Sequence, residues 1–511
     1  MGILTGKTAA LHTLGCKVNA YETDAMRAML EDAGCSITDF DKKADIYVIN
    51  TCSVTNIADR KSRQMIHKAR KMNPGAVVCA AGCYVQTAAD KTGLEVDADI
   101  ILGSSRKGDL VKKLEDYFAQ PGHETPLSPD VADVLHDLSI ENLSVPRIEG
   151  HTRAYINVQD ACSMFCSYCI IPYARGHVRS KREEDVIREL TALAKEGIRE
   201  VVLTGIHLSS YGVDFDEDAD RAYLEQMEDA GVQLPGAASG PGVRAYADRI
   251  SQGGGATLRT WQERSKLIDL IEHVAAIEGI ERIRLGSLEP TIITRENVLR
   301  LSRIRELCPH FHLSLQSGCD TVLRRMNRRY TAEDYLERVE LLRKYFDRPA
   351  VTTDVIAGFP GESREEFEQT CRFLEKAQLY ETHLFKYSLR AGTRAAKMPG
   401  QITEKEKARR LDILEEINRA NRRRFISSCD GSQAEVLVEE EAQTDERGCL
   451  VLPNAQHLDS DAAAAPETGE GEHIYTGYTR EYVRAFLISG EDLRGQIVTG
   501  KLRVDKIPLL Y

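Results

Sequence analysis

In the first hundred residues, a short apolar strand, a turn that carries a cysteine and an amphipathic helix follow one another repeatedly. The segments AALHTLGC, ADIYVINTC and AVVCAAGC end at Cys16, Cys52 and Cys83. Alternating strands and helices of this kind predict a parallel sheet with helices on its faces. Because sites in such sheets lie beyond the carboxyl ends of the strands, the three cysteines are expected to converge on one edge.

The chain contains 13 cysteines, an odd number that argues against a disulfide framework and for metal or redox chemistry. Any single cysteine is also explained as an ordinary core residue, since cysteine is often buried. That interpretation is kept for the cysteines that share no position relative to the predicted strands or lie inside an apolar run: Cys35, Cys79, Cys308, Cys371, Cys429 and Cys449. The repeated position of the other three favours a metal site.

Size and composition limit the class of protein. A chain of 511 residues is too long for one core and predicts about two to four domains. No apolar run reaches the roughly 20 residues that span a bilayer. The first residues lack the pattern of a signal peptide, so we expect a cytoplasmic protein without membrane contact. The net charge of -12 gives no bulk attraction to nucleic acid, and RNA binding would have to rest on local basic clusters.

A second run of strands and helices begins after a proline-containing linker. The predicted strands are AYINVQD, EVVLTG, RIRLGS, HFHLSLQSG, AVTTDVIAGFPGE and THLFKYS. This succession predicts a full or partial (β/α) barrel, whose active site lies at the carboxyl ends of its strands. The site candidates lie near or just past the carboxyl ends of these segments: Cys162, Gly205, Glu289, Gln316 and Gly358.

The predicted fold class is α/β, in three domains. Residues 1–145 are assigned to the sheet domain, 146–430 to the partial barrel, and 431–511 to a small antiparallel β-barrel built from QAEVLVEE, YVRAFLIS and QIVTGKLRV. An acidic and then glycine-rich stretch at about 214–262 interrupts the second domain. We interpret it as a solvated insertion rather than an active-site lid. The segment SDAAAAPETGEGE is a low-complexity insert in the last domain.

The loop DACSMFCSYCIIPYARG holds Cys162, Cys166 and Cys169 with no fourth cysteine or histidine inside it. A zinc ribbon needs paired C-x-x-C units, and this chain has one such pair. A thioredoxin-type use of that pair would leave Cys162 without a role. Soft thiolates in a C-x3-C-x2-C arrangement favour an iron–sulfur cluster in which one iron has no protein ligand.

This loop resembles the signature of the radical S-adenosylmethionine (SAM) superfamily, C-x3-C-x-aromatic-C, with Tyr168 as the aromatic residue. The resemblance implies a 4Fe-4S cluster whose open iron binds SAM, and reductive cleavage of that cosubstrate to a 5'-deoxyadenosyl radical. Tyr168 is then expected near the adenine of SAM, although an aromatic residue here would equally fill the barrel mouth. By the same resemblance, Gly205, Gln316 and Gly358 are candidate SAM contacts. Each is also explained as a tight-turn or polar core residue.

The segments TLGCKVNAYETDAM, VINTCSVTNIADRKSRQMI and AAGCYVQ resemble the amino-terminal domain of the methylthiotransferases. The segments LTGIHLSSYG, LSLQSGCDTVLRRMNRRYT, TDVIAGFPGE and KYSLRAGTRAAKM extend the resemblance over nearly the whole chain. It implies two 4Fe-4S clusters and two uses of SAM, one to methylate a cluster-held sulfur and one to open a substrate C–H bond for it. The ligands that it assigns are Cys16, Cys52 and Cys83 for an auxiliary cluster and Cys162, Cys166 and Cys169 for the radical cluster.

Three substrates are known for this family: isopentenyl-adenosine in tRNA, threonylcarbamoyl-adenosine in tRNA, and an aspartate of a ribosomal protein. The segment TLGCKVNAYETDAM is most similar to the corresponding segment of the group that acts on threonylcarbamoyl-adenosine. The segment TGYTREYVRAFLI resembles the TRAM module, an RNA-binding domain. The resemblance therefore implies tRNA as a partner, together with a reducing electron donor of flavodoxin or ferredoxin type and a sulfur donor.

Two arginine clusters are candidates for phosphate contacts, which give affinity without reading sequence. The first comprises Arg419, Arg422, Arg423 and Arg424, and the second comprises Arg324, Arg325, Arg328 and Arg329. Helical arginines also form ordinary solvated faces, so the sequence leaves both interpretations open. Two other functions stay open as well: an RNA-binding iron–sulfur carrier or scaffold without catalysis, and a radical enzyme that inserts no sulfur.

Overall fold

The computed structural model describes residues 2–89, 96–120, 127–135, 137, 139–141, 143–145, 152–215, 264–445, 449–451, 465–504 and 507–511. The predicted insertion at about 214–262 lies outside these ranges except for its first two residues, and the first five residues of the low-complexity insert lie outside them too. Within the described ranges, no helix is long and apolar enough to cross a membrane.

The amino-terminal part forms a parallel sheet with helices on its faces, as predicted. Its strands are β1 (Thr8–Thr13), β2 (Ser36–Thr38), β3 (Ile46–Thr51), β4 (Val77–Gly82) and β5 (Ile100–Leu102). Its helices are α1 (Lys17–Asp32), α2 (Asn56–Met72), α3 (Cys83–Ala89) and α4 (Leu110–Phe118). The strand order is β2-β1-β3-β4-β5. Apolar clusters on both sides bury the central strands β3 and β4 along their whole length.

The central part is an arc of parallel strands with helices on the outside. The strands are β6 (Arg153–Asp160), β7 (Arg179–Ser180), β8 (Glu200–Gly205), β9 (Arg282–Leu285), β10 (His310–His312), β11 (Ala350–Ala357) and β12 (Glu381–Lys386). They form the sheets β7-β6-β8-β9 and β10-β11-β12, in which only β7 pairs antiparallel. Isolated parallel bridges, such as Leu288 with Leu313, link β9 to the second sheet. The prediction of a partial barrel is confirmed.

The helices of this part follow the strands in alternation. They are α5 (Ile171–Arg175), α6 (Glu183–Lys195), α7 (Leu267–Ala275), α8 (Arg295–Leu301), α9 (Asp320–Arg325), α10 (Ala332–Tyr345), α11 (Arg364–Ala377) and α12 (Glu404–Ser428). Phe311, Val355 and Leu384 lie in or against the main apolar core under these helices. Side chains alternate along a strand, so the neighbouring positions line the inside of the arc. They include His312, Thr352, Asp354, Ile356, His383 and Phe385.

The carboxyl-terminal part is a closed five-stranded barrel of order β13-β16-β17-β19-β18. Its strands are β13 (Gln433–Glu441), β16 (His473–Thr479), β17 (Arg484–Ser489), β18 (Ile497–Val504) and β19 (Pro508–Leu510), beside a small ladder of β14 (Gln443–Thr444) and β15 (Leu450–Val451). The expectation of an antiparallel barrel is wrong at one pair, because β17 and β19 run parallel. A closed ring with an odd number of strands cannot alternate direction throughout.

This small barrel packs against the amino-terminal ends of the arc strands through buried charges and aromatic rings. The guanidinium of Arg284 lies 4.8 Å from the ring centre of Tyr482, and its Nε atom donates to Glu200 at 2.8 Å. Burial by itself would raise the pKa of Glu200, but Arg284, Arg153 and Arg282 lower it to about 2. Glu200 is therefore an anion shared by three buried arginines at this interface, and Glu439 also pairs with Arg153.

Candidate functional site

The cysteines of the first group lie at the carboxyl edge of the parallel sheet, directly after three neighbouring strands. Cys16 caps the amino terminus of α1, Cys52 follows β3, and Cys83 begins α3 after β4. Gly15 has a φ of +107°, and a Cβ atom there would lie 2.8 Å from the Cys52 Sγ atom. Only glycine fits this close approach between the first two turns.

Burial changes the acidity of these thiols. Together with the neighbouring Cys83, it raises the pKa of Cys52 to about 12. Burial also raises the pKa of Cys83, while Arg175 acts in the opposite direction. Cys16 and Cys83 disfavour ionisation of Cys52, and Cys16 disfavours ionisation of Cys83. Added positive charge, which is what a metal centre supplies, would favour thiolates at Cys52 and Cys83.

The second cysteine group occupies the loop between β6 and α5, at Cys162, Cys166 and Cys169. Burial raises the pKa of Cys169 to about 12 and that of Cys162 well above its usual range, and Cys166 adds to both effects. Asn327 donates from its Nδ2 atom to the Phe165 carbonyl at 3.1 Å, and the Ser167 N–H donates to the Met326 carbonyl at 3.0 Å. Phe165 has a φ of 48°, a strained conformation that such contacts maintain.

Arg328 reaches into this loop from the turn after α9. Its Nη1 atom donates to the Cys166 Sγ atom at 3.3 Å, and its Nη2 atom donates to Glu289 Oε2 at 2.7 Å. Its side chain is 6% exposed, so the idea that Arg328 contacts RNA phosphates is wrong. Arg325 of the same cluster pairs with Glu366 at 2.6 Å. The Oε1 atom of Glu289 is buried and receives no hydrogen bond from a described residue, which leaves it able to accept one from a bound cation.

Arg175 lies between the two cysteine groups and is fully buried. Its Nε atom donates to the Cys83 Sγ atom at 3.2 Å. Its Nη1 atom lies 2.7 Å from Asp160 at the end of β6 and 2.9 Å from Glu22 on α1. Its Nη2 atom donates to Asn19 Oδ1 at 2.9 Å. Because Arg175 ends the short helix that follows Cys169, one side chain connects the loop of the second group to the ligand edge of the first.

Tyr168 and Gln316, two candidate SAM contacts, lie at the carboxyl end of the arc. Tyr168 packs against an apolar cluster together with Ile356, which projects into the arc from β11. Gln316 is buried with a φ of 71°, and its N–H donates to the Asp354 carbonyl at 2.8 Å. A left-handed glutamine costs free energy, and such strain is frequent at ligand sites.

The glycine candidates are explained by close packing as well as by position. A Cβ atom on Gly205 would lie 2.9 Å from the Gln159 side chain, which accepts the His207 N–H at 2.7 Å. Gly358 has a φ of +75°, and a Cβ atom there would lie 2.5 Å from Lys407. Both glycines therefore have a structural reason to be glycine, whether or not they touch a cosubstrate.

The first arginine cluster lies on α12, at Arg419, Arg422, Arg423 and Arg424. Arg423 and Arg424 are exposed. Arg422 is half-buried and lies 3.7 Å from Glu381, and Arg419 pairs with Glu415 at 3.4 Å. The structure therefore divides the cluster into two exposed cations and two cations with acidic neighbours.

The side chains of the two cysteine groups are the donors that an iron–sulfur cluster uses. Among the described residues, no group of three or more His, Cys, Asp or Glu side chains is placed to hold one metal ion. A four-iron cluster is broader than an ion and holds its thiolates further apart. Each cysteine group offers three thiols and a buried arginine that donates to one of the sulfurs, Arg175 to Cys83 and Arg328 to Cys166. This donor set suits an iron–sulfur cluster with one open iron.

Sequence reasoning missed the residues that support the cysteines. Arg175, Asn327 and Arg328 all lie inside the quoted segments DACSMFCSYCIIPYARG and LSLQSGCDTVLRRMNRRYT, but spacing alone gives them no partner. The sequence signal that could have identified Arg175 was its position, since it lies in the same short segment as three cysteines. A lone arginine there is not distinguishable from a surface residue until the sheet is folded against the arc.

Comparison with known proteins agrees with this geometry. Residues 156–374 match the radical SAM superfamily, and residues 8–103 match the uncharacterized protein family UPF0004. The threonylcarbamoyladenosine tRNA methylthiotransferase MtaB of Bacillus subtilis (strain 168) is 35% identical, over 97% of this chain and 93% of that one. The MtaB of Aquifex aeolicus (strain VF5) is 33% identical, over 84% of this chain and 93% of that one.

A relative with a different printed substrate also matches over most of its length. The tRNA-2-methylthio-N(6)-dimethylallyladenosine synthase of Moorella thermoacetica (strain ATCC 39073 / JCM 9320) is 31% identical, over 86% of this chain and 88% of that one. These matches cover the sheet, the arc and both cysteine groups. The chain belongs to the radical SAM methylthiotransferase family.

Proposed function

We propose that this protein converts N6-threonylcarbamoyladenosine, next to the anticodon of tRNA, into its 2-methylthio derivative. The observation that carries the proposal is the contact of Arg175 with Cys83, because it joins the two cysteine groups through one buried side chain. The relatives named for this substrate support the choice, since the match to the B. subtilis protein extends over 97% of the chain.

The two cysteine groups are proposed to hold one 4Fe-4S cluster each. Cys16, Cys52 and Cys83 hold the auxiliary cluster, and Cys162, Cys166 and Cys169 hold the radical cluster, to which SAM binds. When bound, SAM and the radical cluster would supply the radical, and the auxiliary cluster would supply the sulfur. Together they would replace a C–H bond of the base by a C–S–CH3 group.

The protein's own residues orient these groups and tune them. Arg175 and Arg328 each donate to one ligand sulfur, and hydrogen bonds of this kind set cluster potentials. Both guanidiniums are enclosed by the protein, so they act where water does not screen them. The paired carboxylates Asp160, Glu22 and Glu289 hold them in place.

SAM is proposed to lie between the radical loop and the carboxyl ends of the arc strands. Tyr168, Gly205, Gln316 and Gly358 remain the proposed contacts. Glu289 joins them, because its buried Oε1 atom accepts no described hydrogen bond and the amino group of SAM is a cationic donor. A carboxylate of this kind would orient the cosubstrate by its amino acid end.

We propose that tRNA phosphates contact Arg419, Arg422, Arg423 and Arg424, beside the small barrel, which we interpret as a TRAM-like domain. Exposed Arg423 and Arg424 are the strongest of these candidates. Replacement of Arg422, Arg423 and Arg424 by alanine should weaken tRNA binding and lower its salt dependence. Fewer phosphate contacts would form, so fewer counterions would be released on binding. An unchanged affinity and salt dependence would remove this part of the proposal.

The domain organisation and partners complete the proposal. The boundaries are placed at 1–145, 146–430 and 431–511, so that one domain carries each cysteine group and the third carries the small barrel. A reducing electron donor of flavodoxin or ferredoxin type and a sulfur donor are required by the chemistry, since an electron is needed to start the cleavage of SAM and each product molecule takes up a sulfur atom.

The test is mass spectrometry of tRNA nucleosides from cells that lack the protein. The expected result is loss of 2-methylthio-N6-threonylcarbamoyladenosine alone. Loss of the isopentenyl-type derivative would support the second candidate substrate, which the M. thermoacetica relative favours. Unchanged tRNA with a missing modification on a ribosomal protein would support the third. No missing modification would favour an RNA-binding iron–sulfur carrier instead.

A further inference from the structure

Exposed apolar side chains gather at one junction of this protein. In the described part of the chain, the exposed large hydrophobic residues are Ile3, Val54, Ile57, Phe385, Leu389 and Tyr511. Ile3 and Tyr511 lie near the chain ends. The other four come from two distant segments, the start of α2 and the end of β12 with its following turn. We call these four residues the junction patch.

Hydrogen bonds hold the two halves of the junction patch together. The Asn56 N–H donates to Ser388 Oγ at 3.2 Å, and Asn56 Nδ2 donates to the Leu389 carbonyl at 3.0 Å. Arg390 is buried and donates to Asn56 Oδ1 at 2.7 Å and to Ser53 Oγ at 2.8 Å. Asn56 lies between Val54 and Ile57, so the backbone at the start of α2 is held beside the turn that carries Leu389.

Each of the two segments that form the junction patch lies next to residues of the proposed active site. Val54 follows the proposed ligand Cys52 by two positions. Phe385 is paired in register with Ile356, which packs against the same apolar cluster as Tyr168. It also shares the inner face of β12 with His383, whose ring stacks on His312 with centroids 5.5 Å apart. Phe385 is nevertheless 47% exposed, so it faces the open inside of the arc.

The charge around the junction patch favours a nucleic acid over a protein as its occupant. The helix α2 carries six Lys or Arg residues and one acidic residue, in a chain whose net charge is -12. Arg60 and Lys61 are exposed and lie three and four positions after Ile57, on the same side of the helix. Unstacked RNA bases bind apolar and aromatic side chains, and phosphates bind neighbouring cations.

We propose that the junction patch binds unstacked bases of the anticodon loop, with Phe385 stacking on the target adenosine or its neighbour, while Arg60 and Lys61 contact the adjacent phosphates. The proposal rests on the proposed function, which supplies the RNA. It assigns an RNA site distinct from the arginine cluster on α12. A base extruded from the anticodon loop would pass Phe385 and the inner face of β12 on its way to the clusters.

The test is the affinity of the reconstituted protein for a fluorescently labelled RNA anticodon stem-loop that carries N6-threonylcarbamoyladenosine. Phe385→Ala, Leu389→Ser and the double variant Val54→Ser/Ile57→Ser should each raise Kd about 10-fold, without changing its salt dependence. The double variant Arg60→Gln/Lys61→Gln should lower the slope of log K against log salt by about 1.4, because two phosphate contacts are lost.

Ile3→Ser is the matched control, because Ile3 is 44% exposed but lies away from the junction, and it should leave Kd unchanged. Iron content and thermal midpoint identify variants that fail to fold, and Leu389→Ser, in a turn, keeps the test valid if Phe385→Ala unfolds. If the wild-type protein binds this RNA no better than an unrelated hairpin, the proposed function fails. If it binds well and the junction variants bind equally well, this proposal alone is overturned. Normal RNA binding with slower reduction by a flavodoxin would likewise overturn it and identify a protein docking site.

Discussion

The Nε atom of Arg175 lies 3.2 Å from the Sγ atom of Cys83, although the two residues are 92 positions apart in the chain. The same guanidinium pairs with Asp160 and Glu22, so the loop of one cysteine group and the ligand edge of the other are held by a single buried cation. Lys107 also pairs with Glu22, at 3.1 Å, and Arg179 with Asp160, at 2.9 Å. The contact between the two halves of the site is thus a network of buried charges.

Replacing Arg175 by methionine should destabilise the protein, by about 3–5 kcal/mol, because buried Asp160 and Glu22 each lose a partner. The measurement is the thermal midpoint of the apoprotein. Arg175→Lys keeps the charge and should lose much less stability. A methionine variant that unfolds at the wild-type temperature would show that the network contributes nothing.

Arg175→Lys should also lower the reduction potential of the auxiliary cluster. The hydrogen bond from Nε to Cys83 stabilises the more negative, reduced state, and lysine does not reproduce its geometry. Electron paramagnetic resonance during a redox titration reports this potential. An unchanged or raised potential would mean that the contact does not persist in the loaded protein.

Replacing Asn327 by glycine should loosen the radical loop. Asn327 has a φ of 62°, which glycine tolerates, so the variant removes the hydrogen bond to the Phe165 carbonyl without adding backbone strain. Iron should fall from about eight to about four atoms per chain after gel filtration, since one 4Fe-4S cluster is lost. Gln378→Gly, at another position with positive φ, is the control and should retain its iron. Full iron retention in the Asn327 variant would contradict the supporting role.

Replacing Gly358 by alanine should impair the GFPGE turn more than backbone strain alone explains. Gly358 and Gly392 both have positive φ, so alanine costs about 1–2 kcal/mol at either. At Gly358 the new Cβ atom also meets Lys407 at 2.5 Å, whereas at Gly392 it meets nothing within 4 Å. Isothermal titration should show weaker SAM binding for Gly358→Ala only. Equal SAM binding in both variants would remove Gly358 from the cosubstrate site.

The lowered pKa of Glu200 predicts that the stability of the protein depends on pH. Its pKa of about 2 lies below the ordinary value of 4.5, so its contribution is fully present above about pH 5 and is lost as the pH falls toward 2. A difference of this size corresponds to about 3 kcal/mol. Glu200→Gln should lower the thermal midpoint at neutral pH, and the gap from wild type should narrow between about pH 5 and pH 3. A constant gap would contradict the assignment.

The parts of the fold that follow from local pattern were predictable from the sequence. The phase of the strands places Cys16, Cys52 and Cys83 at one sheet edge, and the alternation after Cys162 predicts the arc. The strands β2 and β5 were not predicted, because each is three residues long and too short to show a clear apolar strand pattern. The parallel pair β17–β19 follows from ring closure, which is a property of five strands together and not of any one segment.

The supporting side chains of the site were not predictable, because their partners are distant in sequence. Arg328 has the local context of a basic helix end, and only the folded arc shows that it contacts Cys166. Gly205 was proposed as a cosubstrate contact, but its neighbour Gln159 provides an independent packing reason for glycine. Local spacing identifies metal ligands, whereas the charges that tune them depend on tertiary contacts.

The most direct test of the central claim is nucleoside mass spectrometry after anaerobic incubation of reconstituted protein with SAM, a reductant, sulfide as the sulfur donor and tRNA that carries N6-threonylcarbamoyladenosine. The wild-type protein should yield the 2-methylthio nucleoside together with 5'-deoxyadenosine, and Cys52→Ala should yield none of the 2-methylthio nucleoside. Formation of the modified nucleoside by Cys52→Ala, or 5'-deoxyadenosine without any modified nucleoside from the wild type, would contradict a reaction that needs both cysteine groups.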